Sequence, residues 1–329
     1  MIEILKELCK LPTAFGMENG ILDYIEKNYA KDVEYSVDGM GNLTALKKCG
    51  RKNAGKIMLY ASTDACGFIV NYICDNGYLR VTRLGSASAV SSAFTELVSE
   101  KGIHGFIVPE KGAEVKDADA SKLYIDIGAK SKEEAEKCVK LGDVFAVIPS
   151  FVKLCGTRCG GNGVAGRVSA AILLKLMRDV NFENTDVYFS FGVQNTLRNR
   201  GAKTAAFDIS PDVCICLDVC ESFDTEGAGK RGEAVLGDGA VVIAKTCDYC
   251  MPPALRTKIT DTAEKNGVSY KVCIYNDKAT NASAVSTCKS GVECAEICVP
   301  SRNIGSGAEI FDISDAENVL NLVSAFIAE

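Results

Sequence analysis

A chain of 329 residues with 47% hydrophobic and 24% charged residues has the composition of a globular protein large enough for two domains. Its net charge of −6, with no offsetting basic block, excludes a general nucleic-acid binder. No apolar run approaches the ~20 residues that span a bilayer, and the single histidine, His104, excludes every site that needs two imidazoles from one chain.

The N-terminal MIEILKELCK reads as a charged amphipathic helix with Ile2, Ile4, Leu5, Leu8 and Leu11 on one face. It lacks the apolar core of a signal peptide, so the expected location is the cytoplasm. A second helix is predicted from Glu18 to Tyr29, with Ile21, Leu22 and Ile25 inward. Strands at Val33–Val37 and Leu43–Leu46 follow, separated by the turn residues Gly39, Gly41 and Asn42. Lys56–Ala61 is a strongly apolar strand that ends at Ser62-Thr63-Asp64.

From Phe68 the texture changes to short strands between glycine turns: Phe68–Cys74, Tyr78–Arg83, Leu97–Ser99, Ile103–Val108, Leu123–Ile127 and Val144–Ile148. That pattern predicts a small β-barrel or sandwich. One helix lies inside it, opened by a capping box of Ser131 and Glu134 and stopped by Gly142. His104 sits in KGIHGFIV as a structural strand residue. The expected division is an inserted domain over residues 68–156 and an outer domain over 1–67 plus 157–329.

After Gly156 an α/β alternation resumes. Ala170–Val180 reads as a helix and Val187–Val193 as a strand with Phe189 and Phe191 on one face. The strand runs into Gln194-Asn195-Thr196 and a basic turn ending at Gly201. Carboxyl ends of sheet strands are where α/β enzymes place their chemistry. An amide has no acid or base function at neutral pH, and a threonine hydroxyl is a poor ligand for a divalent metal. Strands Val213–Val219 and Ala240–Lys245, a helix Pro253–Asn266 closed by Gly267, and strands Val268–Tyr275 and Cys294–Val299 follow. The last helix, Asp315–Ala328, is capped by Ser314 with Glu317 three residues on.

Sixteen cysteines in a long chain without an export signal read as reduced, mostly buried thiols. Cys214, Cys216, Asp218 and Cys220 alternate on one strand face. Neighbours on such a face lie ~7 Å apart, and one flat row cannot enclose a tetrahedral ion. Cys247 and Cys250 form one C-x-x-C without the second pair of a zinc ribbon.

Four stretches, VDGMGNL at Val37–Leu43, LYIDIGAKSKEEAEKCVKLGD at Leu123–Asp143, RGAKTAAFDISPDVCICLDV at Arg200–Val219 and SRNIGS at Ser301–Ser306, carry a family likeness. Through them the chain resembles the tetrahedral aminopeptidases, cytosolic metallopeptidases also called glutamyl aminopeptidases or endoglucanases. The resemblance covers nearly the whole chain. It implies a three-layer α/β/α phosphorylase/hydrolase-like domain with an inserted β-barrel that mediates homo-oligomerisation. It also implies two divalent metal ions, zinc or cobalt, and a carboxylate base acting on a bridging water.

Residue by residue, most of that site is missing. Ser62 stands for the histidine of A-H-x-D, with Asp64 kept two residues on. VAGR places Ala165 and Gly166 where L-D-D-R has its acids, and Arg167 remains. Gln194-Asn195-Thr196 replaces Q-E-E, so Asn195 stands at the base position and Thr196 at a ligand. Gly305 replaces the last histidine, Thr280-Asn281-Ala282-Ser283 replaces T-D-A-G, and Asp218 is the sole retained ligand. A catalytic zinc needs about three protein ligands, and one carboxylate cannot hold a bridging pair. No bound metal is expected. Asp64 and Asp218 are expected to pair with Arg167 or Arg198, because a buried carboxylate needs a partner.

Three functions remain open. The first is a non-catalytic homologue, a binding or scaffold subunit that keeps the fold and the oligomer, with peptides as ligands or a catalytic paralogue as co-assembly partner. The second is an active metal-dependent aminopeptidase. The third is a different enzyme with a nucleophile such as Cys66, which lacks any histidine except the distant His104 to activate it.

Overall fold

The computed structural model describes residues 1–31, 33–85, 89–113, 120–180, 182–228, 232–276 and 279–329. The strands, in chain order, are β1 Glu34–Val37, β2 Leu43–Lys47, β3 Gly55–Ser62, β4 Gly67–Ile73, β5 Leu79–Leu84, β6 Thr95–Ser99, β7 His104–Pro109, β8 Leu123–Asp126, β9 Val144–Val147, β10 Val152–Lys153, β11 Arg158–Gly161, β12 Thr185–Gly192, β13 Val213–Glu221, β14 Ala240–Lys245, β15 Tyr270–Ile274, β16 Glu293–Arg302 and β17 Glu309–Asp312. The α-helices are α1 Ile2–Leu8, α2 Asn19–Ile25, α3 Ala89–Ser92, α4 Lys132–Cys138, α5 Ala165–Asp179, α6 Arg200–Ile209, α7 Pro253–Lys265, α8 Asn281–Ser286 and α9 Ile313–Ala328.

The described residues build an 11-stranded sheet whose main path runs β1-β2-β12-β3-β13-β16-β17-β11-β10, with β14 and β15 attached beside β16. At its centre β12, β3, β13 and β16 run parallel. Side chains alternate across a strand, so each central strand feeds two cores. Leu59, Ala61, Phe189, Phe191, Ile215, Leu217 and Ile297 join the helices α1, α2, α5, α7 and α9. Met58, Tyr60, Cys214, Cys216 and Cys294 join α6 and α8. Burial on both faces explains the near-continuous apolar runs of these strands, and the result is a three-layer α/β/α domain. The strands β4 to β9 close into a separate antiparallel barrel in the order β4-β5-β8-β7-β6-β9, filled by Phe68, Val70, Leu79, Leu97, Ile125 and Phe145.

Several expected element ends move. The helix expected from Ala170 begins at Ala165, because Ala165, Val168 and Ala171 are already buried against the sheet. The second helix is α-helical only to Ile25 and continues as one π-turn over Glu26–Ala30. Helix α4 ends at Cys138, four residues before Gly142, where Val139 turns extended and drops into the barrel core. Ser131 Oγ accepts the Glu134 N–H at 3.3 Å, but Glu134 returns its carboxylate to the Lys130 N–H, so only half of the expected box forms. The cap of α9 is Asp312, whose carboxylate accepts from Ser314 N–H at 3.0 Å; Ser314 is already inside the helix.

Candidate active-site cavity

Strands β12, β3 and β13 end side by side, with Gly192 paired to Ser62 and Leu217 to Ala61. Beyond those ends lies a cavity of about 260 Å³ between the sheet and the barrel. Ser62, Asp64, Asn195, Thr196, Asp218 and Gly305 all line it, with Gly166 beside them, and the barrel contributes Phe68, Thr95 and Val147. The structure thus brings together most of the residues singled out in the sequence. Ala165, Arg167 and Arg198 lie outside the lining.

Local chain geometry sets this wall. Gly192 is required because a Cβ there would meet the Tyr60 phenol oxygen at 1.8 Å. After it, Gln194, Arg198 and Asn199 take left-handed backbone angles of +54°, +64° and +55°. These fold residues 194–199 into a tight loop instead of extending the strand. Gly201 does not end this turn, as the sequence suggested; it lies in the first turn of α6. A Cβ there would meet the Val193 carbonyl at 2.2 Å.

Asp64 is 5% exposed and holds this loop. Its Oδ1 accepts the Asn195 N–H at 2.9 Å, and its Oδ2 accepts the Thr196 N–H at 2.8 Å and the Thr196 hydroxyl at 2.7 Å. Burial raises its pKa, and those three hydrogen bonds pull the other way. The expected ion pair of Asp64 with Arg167 or Arg198 does not form. Arg167 is buried and donates instead to the Thr63 carbonyl, the Leu11 carbonyl and Thr13 Oγ1. Arg198 is exposed. Backbone N–H groups take the place of the cation, which is how a carboxylate can be buried without a salt bridge.

Glu309, which the sequence reading passed over, repeats the device on the opposite wall. It is buried, and its two oxygens accept the Ala165 N–H at 2.8 Å and the Gly305 N–H at 2.7 Å. Burial pushes its carboxyl upward. An acid four residues past Gly305 was the available signal, and nothing in its spacing distinguished it from a surface residue. Glu18 adds a third such contact, accepting the Gln194 N–H at 3.1 Å.

Asp218 is half-buried, accepting from the Val219 N–H at 2.8 Å and from Asn281 Nδ2 at 3.2 Å. Near it lies Glu296, fully buried, with one oxygen on the Ala282 N–H at 2.9 Å. Burial first, and the Asp218 charge second, push the Glu296 carboxyl well above the usual carboxylate range. Cys214 and Cys216 lie in the core under α6 and α8 with their sulfurs 3.6 Å apart. Among the described residues no group of three or more His, Cys, Asp or Glu is placed to hold a metal ion. His104 is exposed on the barrel, its Nδ1 2.9 Å from Glu96.

The M42 glutamyl aminopeptidase family model matches residues 41–322. The chain belongs to this family. A relative from Acetivibrio thermocellus is 31% identical to this M42 chain over 325 residues, covering 98% of it and 97% of that protein. An aminopeptidase from the archaeon Desulfurococcus kamchatkensis superposes with a TM-score of 0.93 at 30% identity, covering 100% of this chain and 94% of that one. The Pyrococcus horikoshii TET1 peptidase, which assembles into a tetrahedron or a large octahedral shell, superposes with a TM-score of 0.86 at 26% identity over 100% of this chain and 99% of that one. Among the described residues no helix is long and apolar enough to cross a membrane.

Proposed function

We propose that this M42 protein is a non-catalytic homologue, a binding or scaffold subunit that keeps the fold and assembles with copies of itself. One observation carries the reading. The backbone N–H groups of Asn195, Thr196, Ala165 and Gly305 are all spent on the carboxylates of Asp64 and Glu309. Those four positions are the ones where the family resemblance sets the base and three metal ligands. In this chain their side chains are an amide, a hydroxyl, a methyl and none, and none of these can compensate the charge of a divalent ion. Asp218 alone is left, so the donor set does not fit a metal pair, which needs several charged or imidazole donors in a closed geometry. Without the ions there is no activated water, and without an acid at 195 no base to deprotonate one. The TET1 peptidase's shells support self-assembly as the function the fold retains.

The test is hydrolysis of a panel of aminoacyl p-nitroanilides with zinc, cobalt or manganese added. Turnover at the level of the uncatalysed reaction is expected for every substrate and metal. Metal-dependent release of p-nitroaniline would establish the active aminopeptidase instead.

A further inference from the structure

The main sheet has an unguarded strand on one side. Among the described residues β15 pairs with β14 alone, so its outer edge carries backbone groups that no ladder uses. The bonds at its two ends show which groups those are. The Ser269 carbonyl accepts the Ala240 N–H at 2.9 Å, and the Tyr275 N–H donates to the Lys245 carbonyl at 2.9 Å. Along a parallel pair, alternate residues of a strand turn both backbone groups toward the same neighbour. Residues 269, 271, 273 and 275 therefore face β14, and Tyr270, Val272 and Ile274 turn their N–H and C=O groups outward.

Side chains alternate with the same period. Cys273 and Tyr275 are buried with Cys220 and Cys298, and Lys271 reaches Asp238 at 3.7 Å. On the other face Val272 is 39% exposed and Ile274 55%. Natural edges are guarded by lysine, proline or a bulge, because an open neutral edge is a template for another strand. Here the one charge in YKVCI, Lys271, lies on the opposite face, the strand has no proline, and the ladder's irregularity sits between Ile243 and Lys245 in β14.

The register of the strand selects its partner. Turned about a two-fold axis through Val272, β15 meets itself antiparallel. Val272 then lies opposite Val272 of the second copy, Tyr270 opposite Ile274, and Lys271 opposite Cys273. The outward residues fall opposite one another, and such pairs exchange both hydrogen bonds in an antiparallel ladder. No like charges meet, and an aromatic residue faces a β-branched one, a favourable cross-strand pair. A shift of one residue sets outward groups against inward ones. Moving the axis to Lys271 sets two ammonium groups opposite each other, which is unfavourable. An interface of this kind is isologous and closes on itself, and the backbone bonds supply its affinity.

We propose that the β15 edge pairs antiparallel with β15 of a second copy of this chain, about a two-fold axis at Val272, and joins the two sheets. This pairing rests on the self-assembly reading above and names a contact for it.

The experiment measures particle mass by sedimentation velocity for the full unsubstituted chain, Val272→Lys, Val272→Glu and an equimolar mixture of the two variants. Position 272 is exposed on an edge, so both variants should keep the far-UV circular dichroism of the unsubstituted chain. On the axis each substitution sets two like charges directly opposite one another. The mass should fall by about half or more, with the dissociation constant raised about tenfold or more. The mixture sets a lysine opposite a glutamate and should regain the original mass, a repair that a loosened strand would not show. Hydrogen exchange gives a second readout. On dilution of the unsubstituted chain below its association range, the amides of Tyr270, Val272 and Ile274 should exchange about tenfold faster or more, while those of Lys271 and Cys273, bonded to β14, stay protected. If a variant does not fold, this dilution series decides. Unchanged mass in both variants, no recovery on mixing, or uniform exchange along β15 overturns the proposal and leaves the self-assembly reading standing; a foreign extended chain as the edge's true partner would give the first of these. A single chain at every concentration of the unsubstituted protein overturns the self-assembly reading first, and the proposal with it.

Discussion

Replacing Asp64 by alanine removes the acceptor of three hydrogen bonds, two of them from the backbone of Asn195 and Thr196. Each orphaned N–H costs about 1–3 kcal/mol where water cannot reach it. Two offsets apply. The native state no longer buries a carboxylate, whose raised pKa records that penalty, and Asn195 and Thr196 are only half-buried, so water from the cavity can reach part of the exposed wall. The net expectation is a loss of about 2–4 kcal/mol. Urea unfolding measures it, and amide hydrogen exchange localises it, with the Asn195 and Thr196 amides losing protection ahead of the sheet. If Asp64 instead served a metal, a chelator would reproduce the loss in the unmutated protein. A cost under about 0.5 kcal/mol with unchanged exchange, or an equal loss on chelation, would refute the reasoning.

Three further perturbations follow from the same contacts. Gly305 has a left-handed φ of +78°, so Gly305→His, which restores the family's residue by resemblance, should cost about 1–2 kcal/mol in urea unfolding and bring no metal with it. Burial pushes Asp315 up to about 6 although it accepts the Gly237 and Gly239 N–H groups. Between pH ~4 and ~6 the native state keeps a proton that the unfolded chain has lost, so this residue's share of stability falls as pH rises through that window, by up to about 3 kcal/mol. Asp315→Asn should flatten that slope in pH-dependent unfolding. The Arg302 guanidinium holds Asp224 down at about 2, so the opposite sign applies. That pair's contribution, about 2 kcal/mol, is present above pH ~4 and lost as pH falls through ~2, and Asp224→Asn should remove it at neutral pH.

Much of this architecture could be read from residue order. Strands such as Lys56–Ala61 and Val213–Val219 are buried on both faces, so their apolar runs have one structural solution, and the change to short strands between glycines at Phe68 marks the barrel. Helix ends were harder to place. Ala165 begins α5 without a side-chain cap, and its N–H is satisfied by Glu309, 144 residues away. The cavity was legible where it depended on residue type, since Ser62, Asn195, Thr196 and Gly305 line it as their positions suggested. What holds the cavity was not. The sequence pointed to arginines as partners for buried acids, but Asp64 is served by backbone N–H groups, which every residue carries and no motif records. The left-handed Gln194 immediately precedes those groups, and a non-glycine residue gives little sign of such an angle in advance.

The central claim is most directly tested by counting metal in the protein. The chain is dialysed against excess zinc or cobalt, freed of loose ions and measured by mass spectrometry for metal per chain. Well under one ion per chain is expected for either element. About two ions per chain, retained through gel filtration, would contradict it.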